Sequence, residues 1–262
     1  NTGILDLNLE KIANIRRDDT DRNRTSPFPF TDNRFEFRAV GSSVNVSNPM
    51  TVLNTIVADQ LVNFKNRVEE ERKTTEDVEQ AIKTVLRQVL EESNDVIFNG
   101  NNYSDDWVAE AEKRGLPHIK TTPEAYDEYL TDKTIELFER NHVFNKKELQ
   151  ARYNVAMEEY CAKIDIEARL VEEISKAHII PACVQHQNKL IDNVKGLVNI
   201  GLKEEAEVQK DSIRDISNRL KNLNQYLGEL RKARLEAEDE HEMRDRGVAF
   251  ANTVKPLFDK IE

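Results

Sequence analysis

Between Asn145 and Leu235 the chain carries a single proline, Pro181, and three glycines, Gly196, Gly201 and Gly228. A stretch with so few breakers resists any fold but long helices. Its apolar residues repeat at helical spacing. Leu149, Tyr153, Ala156 and Tyr160 follow at 4, 3 and 4, and Ile213, Ile216, Leu220, Leu223, Leu227 and Leu230 at 3, 4, 3, 4 and 3. The second series is a heptad seam. Asn145-Lys-Lys-Glu148 has the wording of a capping box at the start of the stretch. Pro181 is expected to kink or break the middle. Gly196 and Gly201 are expected to mark a connection near residue 201. The spacing predicts two or three long antiparallel helices, divided by Gly247 from a last helix through Phe250, Val254, Leu257 and Ile261. The seam serves either as the core of an intramolecular bundle or as a coiled coil for a partner. The short connections favour the bundle.

Composition agrees with helix. The 262 residues are 33% charged and only 6% aromatic, with 8 glycines and 7 prolines. The net charge of −11 argues against a general nucleic-acid coat. No apolar run reaches the roughly 18 residues of a membrane-spanning helix. Cys161 and Cys183 both sit in helix-like sequence, so a disulfide framework is not expected and a reducing cytoplasm is. No signal peptide opens the chain, and its start at Asn1 suggests a piece of a longer protein.

Residues 1–47 read as irregular, apart from a short strand at Arg34-Phe35-Glu36-Phe37-Arg38. Asn48-Pro49 reads as an N-cap and first helical residue, opening a helix through Val52, Leu53, Ile56, Val57, Leu61 and Phe64. Thr74 or Thr75 is expected to cap a second helix that carries Val78, Ile82, Val85, Leu86, Val89 and Leu90. Shorter helices follow over Ser104–Arg114 and Thr122–Asn141. The fold class is therefore mainly α, a C-terminal bundle of long antiparallel helices preceded by a loop-strand-helix segment. The boundary between the two parts falls near residue 73, giving 1–73 and 74–262.

Chemistry concentrates in one place. Arg22 to Arg38 (RNRTSPFPFTDNRFEFR) holds four arginines, one glutamate, two prolines and four phenylalanines. Period-two alternation puts Arg34, Glu36 and Arg38 on one face of the strand, and Phe35 and Phe37 on the other, toward a core. Guanidinium forks bind phosphate or carboxylate bidentately, and a carboxylate can hold Mg²⁺. A solvated strand with alternating salt bridges has the same pattern, so both readings are open here. His118, His142, His178, His186 and His241 are scattered. Cys183 and His186 lack the further ligands of a zinc site. There is no glycine-rich phosphate loop.

Three linked stretches resemble the C-terminal part of the glutamine synthetase catalytic domain. They are the arginine loop Arg22-Asn23-Arg24-Thr25, the R-x-E-x-R strand Arg34 to Arg38, and the helix opening Asn48-Pro49. The wording of Asp21 to Phe28, Phe35 to Ser43 and Asn48 to Ala58 is similar to the type III branch, which also has a helical C-terminal extension. The resemblance implies that the first part is a remnant of an α+β catalytic domain. It implies ATP-dependent ligation of ammonia to glutamate through γ-glutamyl phosphate, with ATP and Mg²⁺ or Mn²⁺. By position Glu36 matches a divalent-metal ligand, and Arg38 an arginine contacting glutamate and the transferring phosphoryl group. Arg24, Arg34 and Arg22 match arginines near the nucleotide and its phosphates. Implied partners are glutamate, ammonia, ATP and copies of the same chain in stacked, dodecamer-like rings, with neither nucleic acid nor membrane. One departure stands out, since many relatives carry a further arginine where this chain has Pro29. The family's other metal and substrate residues do not occur in this sequence, so the chain alone is expected to be inactive. A non-enzymatic helical scaffold and an anion-binding regulatory module are the competing readings. The order and spacing of Arg24, Glu36, Arg38 and Asn48 favour the enzyme.

Overall fold

A computed structural model describes residues 4–5, 15–16, 28–31, 34–39, 41, 44–96 and 104–261. The described chain is mainly α. It divides into two units, one built from Asn1–His118 with Leu137–Val143 and the other from Ile119–Glu136 with Phe144–Glu262.

The first unit holds the described strands. β1 (Ile4–Leu5) pairs antiparallel with β2 (Ile15–Arg16), a ladder that the sequence does not announce. β3 (Phe30–Thr31) pairs antiparallel with β4 (Arg34–Phe35), Phe30 opposite Phe35 and Thr31 opposite Arg34. Only the first two residues of the expected strand are therefore in a ladder. α1 (Ser47–Glu71) begins one residue before Asn48, without a side-chain cap, and runs past Phe64. α2 (Val78–Glu92) is capped by Asp77, whose Oδ1 accepts from the Glu79 and Gln80 amides at 2.9 and 3.3 Å. Thr75 instead accepts from the Asp77 amide. Short acceptors cluster before this helix, and the aspartate is the one placed to reach N2 and N3. α3 (Asp105–Lys113) is capped by Ser104.

Polar clamps join these helices. Arg67 on α1 reaches Glu92 with two bonds of 2.8 Å and Gln88 at 3.1 Å, both on α2. Arg140, in the last turn of α5 (Asp132–Arg140), grips Asp59 of α1 bidentately at 2.6 and 2.7 Å, and Asn141 adds a bond of 2.9 Å. The Arg140 hydrogen bond, against partial burial and with help from Asn141, pulls the Asp59 carboxyl from 3.8 down to about 2. Apolar burial is sparse among the described residues here. Ala81 and Val85 of α2 are buried, yet Val78, Ile82, Leu86 and Leu90, four residues apart, are 40–54% exposed.

The second unit has a continuous core. α4 (Thr122–Asp127) and a 3₁₀ turn precede α5, so the expected helix over Thr122–Asn141 is interrupted at Thr131. α6 (Lys146–Ile174) opens on the predicted capping box. The Glu148 amide donates to Asn145 Oδ1 at 3.1 Å, and the Asn145 amide to Glu148 Oε2 at 2.8 Å. Its buried residues are Leu149, Tyr153, Met157, Cys161, Ile164 and Ala168, whereas Ala156 and Tyr160 are only half-buried.

Pro181 does not break the helix. α6 passes through a π turn (Ser175–Ile179) into α7 (Ile180–Asn199), and the Ile180 amide donates to the Ser175 carbonyl five residues back. A wide turn is one way for a helix to accommodate a residue that lacks an amide and crowds the preceding turn. It also corrects the register. The inward positions Cys161, Ala168 and Ser175 are seven apart, and the next step, to Cys183, is eight. Leu190 and Leu197 then resume the step of seven. One extra residue in the π turn keeps both halves of the seam on one face.

Gly201, at φ +90°, turns the chain where expected into α8 (Lys203–Glu238). Along α8 the seam residues Ile213, Ile216, Leu220 and Leu223 are half-buried, and Leu227 and Leu230 are buried. Cys161, Ile164, Ala168, Leu230, Phe250 and Val254 are central to the core. Gly247 does not divide two helices. It lies buried inside α9 (Met243–Ala249), where a Cβ would stand 2.5 Å from the Met157 sulfur and 3.4 Å from Pro123. The break comes earlier, after Glu238, and the last segment runs through a second π turn (Phe250–Val254) and a 3₁₀ turn into α10 (Phe258–Ile261).

Candidate functional site

The alternation of Arg34, Glu36 and Arg38 produces the predicted geometry. Arg38 donates from Nε and Nη2 to Glu36 Oε2 at 3.1 and 2.7 Å, and Arg34 Nη2 stands 3.7 Å from Glu36 Oε1. Two guanidiniums thus flank one carboxylate, leaving the trio a net charge of +1. Arg38 and Glu36 are 24% and 31% exposed in their side chains, Arg34 73%. This face can receive an anion through guanidinium N–H groups, with Glu36 holding Arg38 in place.

The opposite face differs from expectation. Phe35 and Phe37 are 52% and 36% exposed, not turned into a core. A hairpin with two residues in each strand covers little, and α1 starts only at Ser47. The Phe35 ring stacks on Phe28, centroids 4.8 Å apart and planes within 14°. Pro29 is buried, and its carbonyl accepts the Glu36 amide at 2.9 Å. In the sequence, an aromatic beside a proline at Phe28-Pro29 is the visible signal for this pair of contacts. Arg22 and Arg24 lie outside the described residues.

These residues do not by themselves hold a divalent cation. Glu36 supplies one carboxylate, and both its oxygens face guanidiniums. Among the described residues no group of three or more His, Cys, Asp or Glu side chains converges as a metal site. Both cysteines are free, and burial pushes the Cys161 thiol up, away from the thiolate.

A second cluster of charge lies in the other unit. Arg234, 12% exposed, donates to Asp165 at 2.8 Å and pairs with Glu238 at 3.0 Å; Arg169 bridges the same two carboxylates. Burial raises the Asp165 carboxyl, but the hydrogen bonds it accepts from Arg234 and from the Glu238 carboxyl, with the Arg169 charge, leave it below its ordinary value. This network ties α6 to α8. No helix among the described residues is long and apolar enough to cross a membrane.

Comparison with known proteins places the whole chain in one context. Residues 81–197 match the glutamine synthetase C-terminal domain. A glutamine synthetase of Bacteroides fragilis (strain YCH46) is 35% identical over 98% of this chain and 36% of its own length. A type-3 glutamine synthetase of Dictyostelium discoideum is 38% identical over 74% of the chain and 26% of its own length. A glutamine synthetase of Butyrivibrio fibrisolvens is 32% identical over 69% of the chain and 25% of its own length. The chain is similar to glutamine synthetases along nearly its whole length, and spans about a third or less of theirs.

Proposed function

We propose that the chain works as part of a longer type III glutamine synthetase, with residues 1–73 ending the catalytic domain and 74–262 forming its helical extension. The observation that supports this most is the Arg34–Glu36–Arg38 cluster, set on one strand face within a chain so similar to these enzymes. In the proposed reaction an oxygen of the glutamate γ-carboxylate attacks the terminal phosphorus of ATP, and ADP leaves. Ammonia then attacks the γ-carbonyl carbon of the acyl phosphate, phosphate departs, and the nitrogen loses a proton to give glutamine. Phosphoryl transfer depends on positioning and on neutralising spread negative charge. Arg38 takes the glutamate and phosphoryl oxygens, and Arg34, Arg24 and Arg22 the nucleotide. Glu36 orients Arg38 through Oε2, and its Oε1, the more loosely paired oxygen at 3.7 Å from Arg34, would serve a Mg²⁺ or Mn²⁺ ion whose other ligands would belong to the rest of the polypeptide. The complete enzyme is a cytoplasmic homo-oligomer of stacked rings.

The test uses the complete polypeptide. Glu36→Ala is expected to lower glutamine formation by roughly a hundredfold or more, the scale of losing one aligned electrostatic group. Wild-type turnover in that variant overturns the site. Size measurement of the same preparation checks the assembly, and a monomer overturns the rings.

A further inference from the structure

We infer that Phe28 and Pro29 are positioning residues that aim Glu36 and Arg38. The inference rests on the proposed site and adds to it. β3 and β4 share a ladder of two residues each, and Glu36 and Arg38 lie beyond its end. The bond from the Glu36 amide to the buried Pro29 carbonyl, 2.9 Å, extends the pairing to the residue whose side chain matters. Proline fixes its own φ, so that carbonyl is held by a stiff backbone. Phe28, one residue earlier, stacks on Phe35, one residue before Glu36. Backbone bond and ring stack thus hold two consecutive residues of the strand, 35 and 36, against two consecutive residues of the loop, 28 and 29. With its backbone held, Glu36 presents its carboxylate to Arg38 Nε and Nη2. The place that resemblance gives to an arginine in many relatives is taken here by a proline, whose main-chain carbonyl accepts this bond as any residue's could but whose ring adds rigidity in place of charge. The contact acts on the reaction only through Glu36 and Arg38.

The experiment compares Phe28→Ala, Phe28→Leu and Phe28→Tyr with Glu36→Ala in the complete polypeptide, reading kcat and KM for ATP separately. Phe28→Ala is expected to lower kcat by about tenfold or more, since small misplacements of reacting groups are costly, with KM for ATP within about twofold. Phe28→Tyr keeps the flat ring and is expected to restore kcat to within about twofold. Phe28→Leu keeps bulk without the stack, and serves if the alanine variant does not fold; it is expected to follow alanine. Wild-type kcat in Phe28→Ala or Phe28→Leu beside an inactive Glu36→Ala overturns the positioning role and leaves the site standing. A tyrosine variant as slow as alanine also overturns it. Wild-type kcat in Glu36→Ala overturns the site itself, and this inference with it.

Discussion

The two units solve the same problem by opposite means. The second buries Phe250, Val254, Leu230, Ile164 and Ala168 in one apolar cluster, and its charged network is an addition to that core. Among the described residues the first buries Ala81 and Val85 of α2 and Phe138 of α5 but little else that is apolar, and it joins its helices through Arg67–Glu92 and Arg140–Asp59. Its apolar row of Val78, Ile82, Leu86 and Leu90 stays on the surface. Apolar burial scales with area removed from water, whereas exposed ion pairs contribute about 1 kcal/mol or less each. The second unit is therefore expected to be the stable one, and the first, which carries the candidate site, the one that needs further support. The single tryptophan, Trp107, sits in α3 of the first unit, so its fluorescence follows that unit while far-UV circular dichroism weighs the long helices of the second.

That contrast can be broken in order of effect. Phe250→Ala removes a ring that is 1% exposed and is expected to cost about 3–5 kcal/mol, seen as an earlier dichroism transition with the Trp107 transition unmoved. A coincident shift of both signals would show that the units do not unfold separately. Gly247→Ala is expected to cost about 1–3 kcal/mol on the same dichroism signal, because the new Cβ meets the buried Met157 sulfur. Met157→Ala in the same chain should recover part of that loss in a double-mutant cycle; simple additivity would mean the contact is relieved without strain. Arg140→Ala is expected to cost about 1 kcal/mol or less, confined to the Trp107 signal. Its pH dependence has a definite sign. The Asp59 carboxyl titrates near 2 in the folded chain against 3.8 ordinarily, so the clamp stabilises above about pH 4 and fades as pH falls toward 2. Wild type and Arg140→Ala should accordingly converge across that acid range, and a constant difference there would exclude Asp59 as the partner.

Features set by neighbours in sequence were the readable ones. The capping box at Asn145, the turn at Gly201 and the inward face of Ile213 to Leu230 follow from local spacing. So does the common face of Arg34, Glu36 and Arg38, since alternation along extended backbone needs no partner. Features set by distant residues were not readable. Gly247 resembles a breaker until Met157 is found beside it from another helix. Pro181 resembles a stop until the seams on both sides require one extra residue. Phe35 and Phe37 follow the strand rule, but alternation says which side a residue takes and nothing about what covers that side. At the site, local sequence specifies the arginine face, while the further ligands of the metal site proposed at Glu36 would come from other parts of a longer polypeptide.

The π turn at Ser175–Ile179 also bears on which length changes this helix can survive. Removing one residue there would leave an unbroken heptad count from Cys161 to Leu197, and the helix would close up as ordinary α-helix with its seam aligned. Pro181 would then sit in a regular turn, at a cost of about 3 kcal/mol or more, so the deletion is favourable only alongside a replacement such as Pro181→Ala. A one-residue deletion between Asn154 and Ala168, or between Gln187 and Leu197, has no such slack and would rotate everything beyond it by about 100°. A single-codon loss in this gene should therefore be tolerated at the π turn when Pro181 is replaced as well, and rejected on either side of it even then.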